Sequence, residues 1–187
     1  MDKDPDARLV RACRNGDRVA FEALLLRYER PIYNVAMRML KHPEDARDVT
    51  QITFLRAFER LDQFNFQHRF YSWIYRIAIN ESINCLNGRS RLAPFDEDAL
   101  DADEGELQGN APHEAYRSKQ VGIQVQAAMM QLPADYRAVI VLRHFAECSY
   151  QDMAEILGIP DKTVKSRLFT ARQLLRERLE AKGMVEF

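Results

Sequence analysis

The 187-residue sequence has no run of about 18 apolar residues, so nothing in it reads as a membrane span. Its first residues, Met1-Asp2-Lys3-Asp4-Pro5-Asp6, hold no apolar signal core, which argues against export. Cysteine is scarce: Cys13, Cys85 and Cys148 are far apart and odd in number. That excludes a disulfide framework or a metal knuckle and fits free thiols in a reducing cytoplasm. With seven glycines and seven prolines the chain is neither collagenous nor of low complexity. A Gly-rich phosphate loop, a nucleophile elbow and a His/Cys ligand spacing are all missing, and His42, His68, His113 and His144 are scattered. An enzyme with a small-molecule substrate, metal or other cofactor is therefore not indicated. There is no alternating strand pattern of useful length and no internal repeat, so the fold class is all-α.

What is present is charge, distributed unevenly. Residues 1–92 carry 16 Lys/Arg against 12 Asp/Glu, residues 93–116 carry 8 acids and no base, and residues 117–187 carry 11 bases against 8 acids. Two mildly basic blocks joined by an acidic strap are hidden under a net charge of −1. The strap has two prolines, two glycines and like charges without periodicity, which predicts a flexible linker. We accordingly expect two small helical domains: an N-terminal helical bundle over 1–92, a linker over 93–116, and a C-terminal four-helix domain over 117–187.

In the first block the periodicity predicts helices over 7–14, 18–40, 43–61 and 70–87. Pro31 marks a kink or break in the second, and Gly88 ends the fourth. The second block opens with a helix from about Glu114 to Gln131, and Pro133 starts another to about Phe145. The run 149–165 then meets the demands of a helix-turn-helix. Ser149 and Asp152 form a capping box, Ala154 permits close helix approach, Gly158 supplies a left-handed turn, and Pro160-Asp161 starts the next helix. At 100° per residue that next helix buries Val164, Leu168, Ala171 and Leu175. It presents Lys162, Lys165, Ser166, Phe169, Thr170 and Gln173, and 161–182 holds 7 bases against 3 acids. Such a face suits a DNA major groove; a helical hairpin with a solvated basic face is the alternative.

Six aromatics, Phe64, Phe66, Phe70, Tyr71, Trp73 and Tyr75, lie close together with Arg69 and Arg76 among and beside them. Rings interleaved with arginines suit single strands, since each base stack contributes about 1–3 kcal/mol and unstacking a base costs about as much. Along the following helix, Trp73, Arg76, Asn80, Asn84 and Asn87 form one stripe opposite an apolar arc. Asparagine is a poor helix former, and Asn80 offers a donor and an acceptor together to a base edge. Phe70, Trp73 and Ile77 read as packing residues; Asn80, Phe64 and the loop 65–69 read as contacts. A third stripe, Asp45, Asp48, Ile52, Leu55 and Glu59 with Gln51 at its margin, suits a basic helical partner or is simply a solvated face.

Together these segments resemble the extracytoplasmic-function group of bacterial sigma-70-type sigma factors. The likeness rests on DARDVTQITFLRAF at 45–58, SWIYRIAIN at 72–80, Leu132-Pro133 with 137–143, and 149–172. It implies that Asp45, Asp48, Gln51 and Phe54 lie in the segment that binds core RNA polymerase at the β′ clamp coiled coil, with the β flap as a second contact. It implies that Phe64, Asn65, Phe66, Gln67, His68, Arg69, Arg76, Asn80 and Asn84 serve the −10 element, capturing a flipped base of melted promoter DNA. Lys165, Ser166, Phe169 and Thr170, with Lys162, would face the −35 major groove, and Arg167 and Arg172 would hold phosphates. The implied protein is a cytoplasmic initiation factor, not an enzyme, restrained by an anti-sigma factor that is often membrane-anchored. The rival reading is a stand-alone helix-turn-helix regulator acting without polymerase.

The resemblance also gives the strap a length to span. Promoter elements about 16 base pairs apart lie about 54 Å apart at about 3.4 Å per pair. The 24-residue strap has a typical reach of about 27 Å and bridges that gap only when drawn out, toward about 80 Å. Free in solution, its acids are expected to fold back and mask the basic faces.

Overall fold

The computed structural model describes residues 4–92 and 113–181, and the expected acidic mask falls largely outside them. Eight α-helices and one short 3-10 turn account for the described residues, with no strand among them: α1 (Ala7–Arg14), α2 (Arg18–Leu40), α3 (Pro43–Glu59), the turn Leu61–Gln63, α4 (Phe70–Leu92), α5 (His113–Met130), α6 (Ala134–His144), α7 (Tyr150–Leu157) and α8 (Asp161–Glu180). The all-α expectation holds. α5 starts at His113, inside the stretch read as linker from charge alone.

Local chemistry explains most boundaries. The Asp17 carboxylate accepts hydrogen bonds from the Val19 and Ala20 amides at 2.9 and 3.2 Å and so caps α2. Lys41, in the left-handed region at φ 51°, ends that helix. Pro43 occupies the first turn of α3, followed by Glu44 and Asp45 at the positive end of the helix dipole. Two expected breaks do not occur. Pro31 sits inside an uninterrupted α2. An interior proline costs about 3 kcal/mol, whereas each large apolar side chain buried contributes about 1.5–3 kcal/mol. Ile32, Val35 and Met39, all buried beyond it, outweigh the break. Gly88 does not stop α4 either, because the Arg89 guanidinium one residue on pairs with Asp45 of α3 and ties down the last turns.

The first block packs α2, α3 and α4 around Leu24, Ile32, Met39, Phe70, Ile74 and Ile79, with Val10 of α1 sealing one side. The second block packs α6, α7 and α8 around Leu142, Met153, Ile156 and Leu168, with Met129 of α5. The blocks are in contact: α4 lies against α7 and α2 against α6, so the two apolar cores are continuous. Gln126 and Arg38 exchange hydrogen bonds across this seam, side chain to side chain and amide to carbonyl, each 3.0 Å. The Arg38 guanidinium also lies 4.3 Å from the centre of the Phe145 ring.

Candidate nucleic-acid interface

The aromatic segment divides between core and surface. Phe70 and Tyr75 are buried, Phe66 and Trp73 half-buried. Phe64, read from sequence as an exposed contact, is only 3% exposed. Its ring is wedged against Phe66, Trp73 and Phe70, at centroid distances of 5.2, 5.3 and 5.9 Å. Stacking of a base on a free Phe64 face is thereby corrected. Phe64 instead lines, with Asn65, His68, Ser72, Trp73 and Arg76, a cleft of about 130 Å³. The loop above it is an Asx turn: the Asn65 side chain accepts from the Gln67 amide at 2.9 Å, and the His68 amide bonds the Asn65 carbonyl at 3.0 Å. This leaves the side chains of Asn65, Gln67, His68 and Arg69 exposed.

A larger cleft of about 450 Å³ continues beyond Trp73 between α3 and α4, lined by Arg56, Arg60, Arg76, Asn80 and Asn84. Asn80 and Asn84 are exposed, as their stripe predicted. Arg56 on α3 and Arg60 at its C-terminal cap escaped the sequence reading, because that helix face was judged by its acids. Arg56 pairs with Glu81 across the cleft. Other supports are equally non-local. Arg14 of α1 donates to the Leu61 carbonyl at 3.0 Å and the Phe64 carbonyl at 3.2 Å, and its guanidinium lies 5.0 Å from the Phe66 ring. The buried Asp4 carboxylate accepts from the Phe70 amide at 2.9 Å and caps α4 from 66 residues away. Arg14 and Asp4 thus hold the backbone on either side of the loop.

On α3 the stripe is exposed at Asp48, Gln51, Ile52 and Leu55, Leu55 by 59%. Asp45 is partly withdrawn: its carboxylate pairs with Arg89, and its backbone amide donates to His42 Nδ1 at 3.3 Å. Phe54 is 5% exposed and packs into the core, stacked near Phe58. A surface contact by Phe54 is corrected: three residues after Gln51 on a helix whose inner face is apolar, it points inward.

The helix-turn-helix has the expected local chemistry. Ser149 and Asp152 cap each other's backbone amides at 3.1 Å, and Gly158 takes φ 65°. On α8, Val164, Leu168 and Ala171 are buried while Lys162, Lys165, Ser166 and Arg172 are exposed. Phe169, 62% exposed, stands out from that face. Lys165 is held 2.7 Å from Asp161, an interaction that raises its pKa, and Arg167 lies 3.7 Å from Asp135. Thr170 is spent locally, its hydroxyl donating to the Ser166 carbonyl at 3.2 Å. Arg172 faces His144 at 3.4 Å; burial first, then the Arg172 and Arg143 charges, lowers the His144 pKa. Among the described residues no cluster could hold a metal ion and no helix is long and apolar enough to cross a membrane.

The seam between the blocks runs through the first cleft. Glu155 of α7 is one of its lining residues. Its Oε1 lies 3.0 Å from His68 Nδ1, and its Oε2 accepts from the Ser72 hydroxyl at 3.0 Å. Arg76 donates from Nε to the Ile156 carbonyl at 3.1 Å and from a terminal nitrogen to the Glu155 carbonyl. Arg69 reaches Asp152 at 3.3 Å, and the Tyr71 hydroxyl lies 2.8 Å from Cys148 Sγ. Burial pushes the Cys148 thiol up to about 11.

This arrangement has known relatives. Residues 24–92 match the family model of sigma-70 region 2 and residues 123–175 that of sigma-70, region 4. The chain is 33% identical over 187 residues to the RNA polymerase sigma-H factor of Pseudomonas aeruginosa, covering 96% of each. It is 33% identical over 181 residues to the ECF RNA polymerase sigma-E factor of Escherichia coli K12, covering 94% of each. Among solved structures, CnrH in complex with the cytosolic domain of CnrY matches with a TM-score of 0.69 at 25% identity, over 94% of this chain and 97% of that one. The sigma factor RpoE of Bartonella quintana, in complex with the anti-sigma factor NepR, matches with a TM-score of 0.66 at 26% identity, over 86% and 96%. A match along nearly the whole length, with both conserved regions in order on an all-helical fold, settles the family: the chain is an extracytoplasmic-function sigma factor of the sigma-70 family.

Proposed function

We propose that this sigma factor works in the cytoplasm, dividing its labour as 1–92 for core polymerase and the −10 element, 93–116 as connector, and 117–187 for the −35 element. The observation that carries the assignment of residues is the row Arg76, Asn80, Asn84 along one exposed face of α4, continuous with the Trp73 cleft. Amides supply paired donors and acceptors to an unstacked base, Trp73 supplies a ring, and Arg56, Arg60 and Arg76 supply cations for the backbone. No covalent step is required, because binding energy realised only with melted DNA favours the open promoter. The exposed face of α8 reads the upstream duplex. The solved complexes of similar chains with CnrY and NepR support an anti-sigma partner here as well.

Run-off transcription with purified core polymerase on promoter templates tests the proposal. Initiation that requires both core and this protein is the expected result; duplex binding without core-dependent initiation would sink it in favour of a stand-alone regulator. Within that assay, Asp48→Lys combined with Leu55→Glu should weaken core binding about 30-fold. Excluding one leucine from an interface costs about 1.5–3 kcal/mol, and charge reversal adds to it. Unaltered co-elution with core polymerase would refute the α3 surface.

On the upstream element, two variants should part company. Arg172→Ala should weaken binding to all duplexes alike and reduce the slope of log affinity against log salt by about 0.9, the signature of one lost phosphate contact. Phe169→Ala should leave that slope unchanged and relax the base preference at one position, since an apolar contact to a thymine methyl carries no counterion. Competition titrations across a salt series decide between them.

A further inference from the structure

We propose that the −10 cleft is also the docking site of this chain's own α7, so that Glu155 and an unstacked nucleotide compete for one set of donors. This rests on the reading of the cleft as a base-capturing site.

Among the described residues, the polar contacts of Glu155 outside its own helix are with residues lining that cleft. His68 Nδ1 and the Ser72 hydroxyl meet its two carboxylate oxygens, each at 3.0 Å. Arg76 is turned toward the backbone end of α7, donating to the carbonyls of Glu155 and Ile156. The last carbonyls of a helix lack intrahelical partners and carry the negative end of its dipole. A carboxylate flanked by two such carbonyls presents the cleft with what a nucleotide would present: anionic oxygens and neutral acceptors at hydrogen-bond distance. Arg69, beside the loop, is likewise engaged by Asp152 at 3.3 Å.

The coverage is selective. Lys162, Lys165, Ser166, Phe169 and Arg172 on α8 remain exposed, as do Asp48, Ile52 and Leu55 on α3. What α7 occupies is the His68–Ser72–Arg76 end of the cleft for melted DNA, and Asn80 and Asn84 beyond it stay exposed. The chain can thus meet polymerase or an upstream duplex while the His68–Arg76 end of its base-capturing site is covered. Separation of the blocks by about 54 Å across a promoter necessarily withdraws α7. The ion pairs that hold Glu155 and Asp152 at this seam involve half-exposed side chains and are individually weak. Whereas the acidic strap was the mask expected from charge counting, the structure supplies another, built from the first helix of the helix-turn-helix.

In a closed–open equilibrium the apparent affinity for single strands falls by the fraction of open molecules. Glu155→Gln removes the charge and keeps the shape, and Glu155→Ala removes both. The intact protein should be titrated with labelled single-stranded DNA of random sequence, about 12 nucleotides long. Affinity should rise about 5-fold for Glu155→Gln and about 10-fold or more for Glu155→Ala, with affinity for double-stranded −35 DNA unchanged. Trp73, the one tryptophan of the chain, lines the same cleft and reports directly on its opening. Its emission should shift to the red in both variants, and addition of single strands should produce the same shift in the wild type. Unaltered emission and unaltered single-strand affinity in Glu155→Ala would overturn the competition, while a loss of affinity in Asn80→Ala would show the cleft reading still standing. If Asn80→Ala also leaves single-strand affinity unaltered, the cleft reading fails and takes this proposal with it.

Discussion

Replacing Arg137 by methionine should lower the stability of the protein by about 3–5 kcal/mol, more than any exposed substitution, and lower the unfolding midpoint by about 6–15 °C. Arg137 is 5% exposed and pairs with no carboxylate among the described residues. Its guanidinium donates instead to four carbonyls: Met39 at 2.5 Å, Met129 at 3.1 Å, Met130 at 2.6 Å and Leu132 at 3.1 Å. Three of these belong to the end of α5 and the turn after it, and one to the last turn of α2. Helix ends leave such carbonyls without partners, and here one cation satisfies those of two helices. Burial lowers its pKa to about 10, which still leaves it charged at neutral pH. Methionine fills a similar volume, so little cavity forms, but it leaves the acceptors dry, each costing about 1–3 kcal/mol, offset in part by the cation no longer being buried. Arg137→Lys should recover less than half of the loss, because a single ammonium cannot reach four acceptors spread over a planar fork. Thermal unfolding followed by circular dichroism reads both variants. A midpoint within about 2 °C of wild type would mean that the carbonyls find water and the network contributes little.

The helix-turn-helix was legible because its determinants are local. A capping box, a left-handed glycine and a four-residue apolar stripe depend on neighbours within one or two turns, and tertiary packing had only to accept them. Pro31 and Gly88 misled for the complementary reason. Both are local breakers, and both were overridden by burial or pairing that only the folded bundle creates. Phe54 and Phe64 entered the candidate site through family likeness and aromatic spacing. The helical period alone already separates Phe54 from the Asp48–Ile52–Leu55 face. The roles of Asp4, Arg14 and Arg137 were invisible in principle, since their partners lie 66, 47 and up to 98 residues away. So was the seam at Glu155. Nothing in an amphipathic pattern says which of two blocks its outer face will meet, and α7 by itself reads as an ordinary capped helix with an acidic residue near its end.

Substituting Asn80 by alanine should slow promoter opening about 30-fold while leaving the protein folded and bound to polymerase. Asn80 is exposed on α4, so no packing is lost, and alanine is the better helix former, so any stability change should be favourable. A well-placed asparagine pairing a base edge in two places contributes about 1–3 kcal/mol, and the rate of opening inherits that energy if the flipped base is already held in the transition state. Adding Asn84→Ala should bring the loss to about 10²-fold, because Asn84 lines the same cleft one turn further on. Asn87→Ala is the internal control: it shares the stripe but is not among the residues lining the cleft, and should cost little. A steep gradient from Asn80 to Asn87 distinguishes capture in the cleft from a diffuse effect of polarity along the helix. Permanganate reactivity of unpaired thymines, followed in time after mixing holoenzyme with a promoter, measures the opening directly. Equal rates for wild type and Asn80→Ala, with duplex binding intact in both, would mean that the strand is held elsewhere, and the exposed amides of α4 would then have no part in melting.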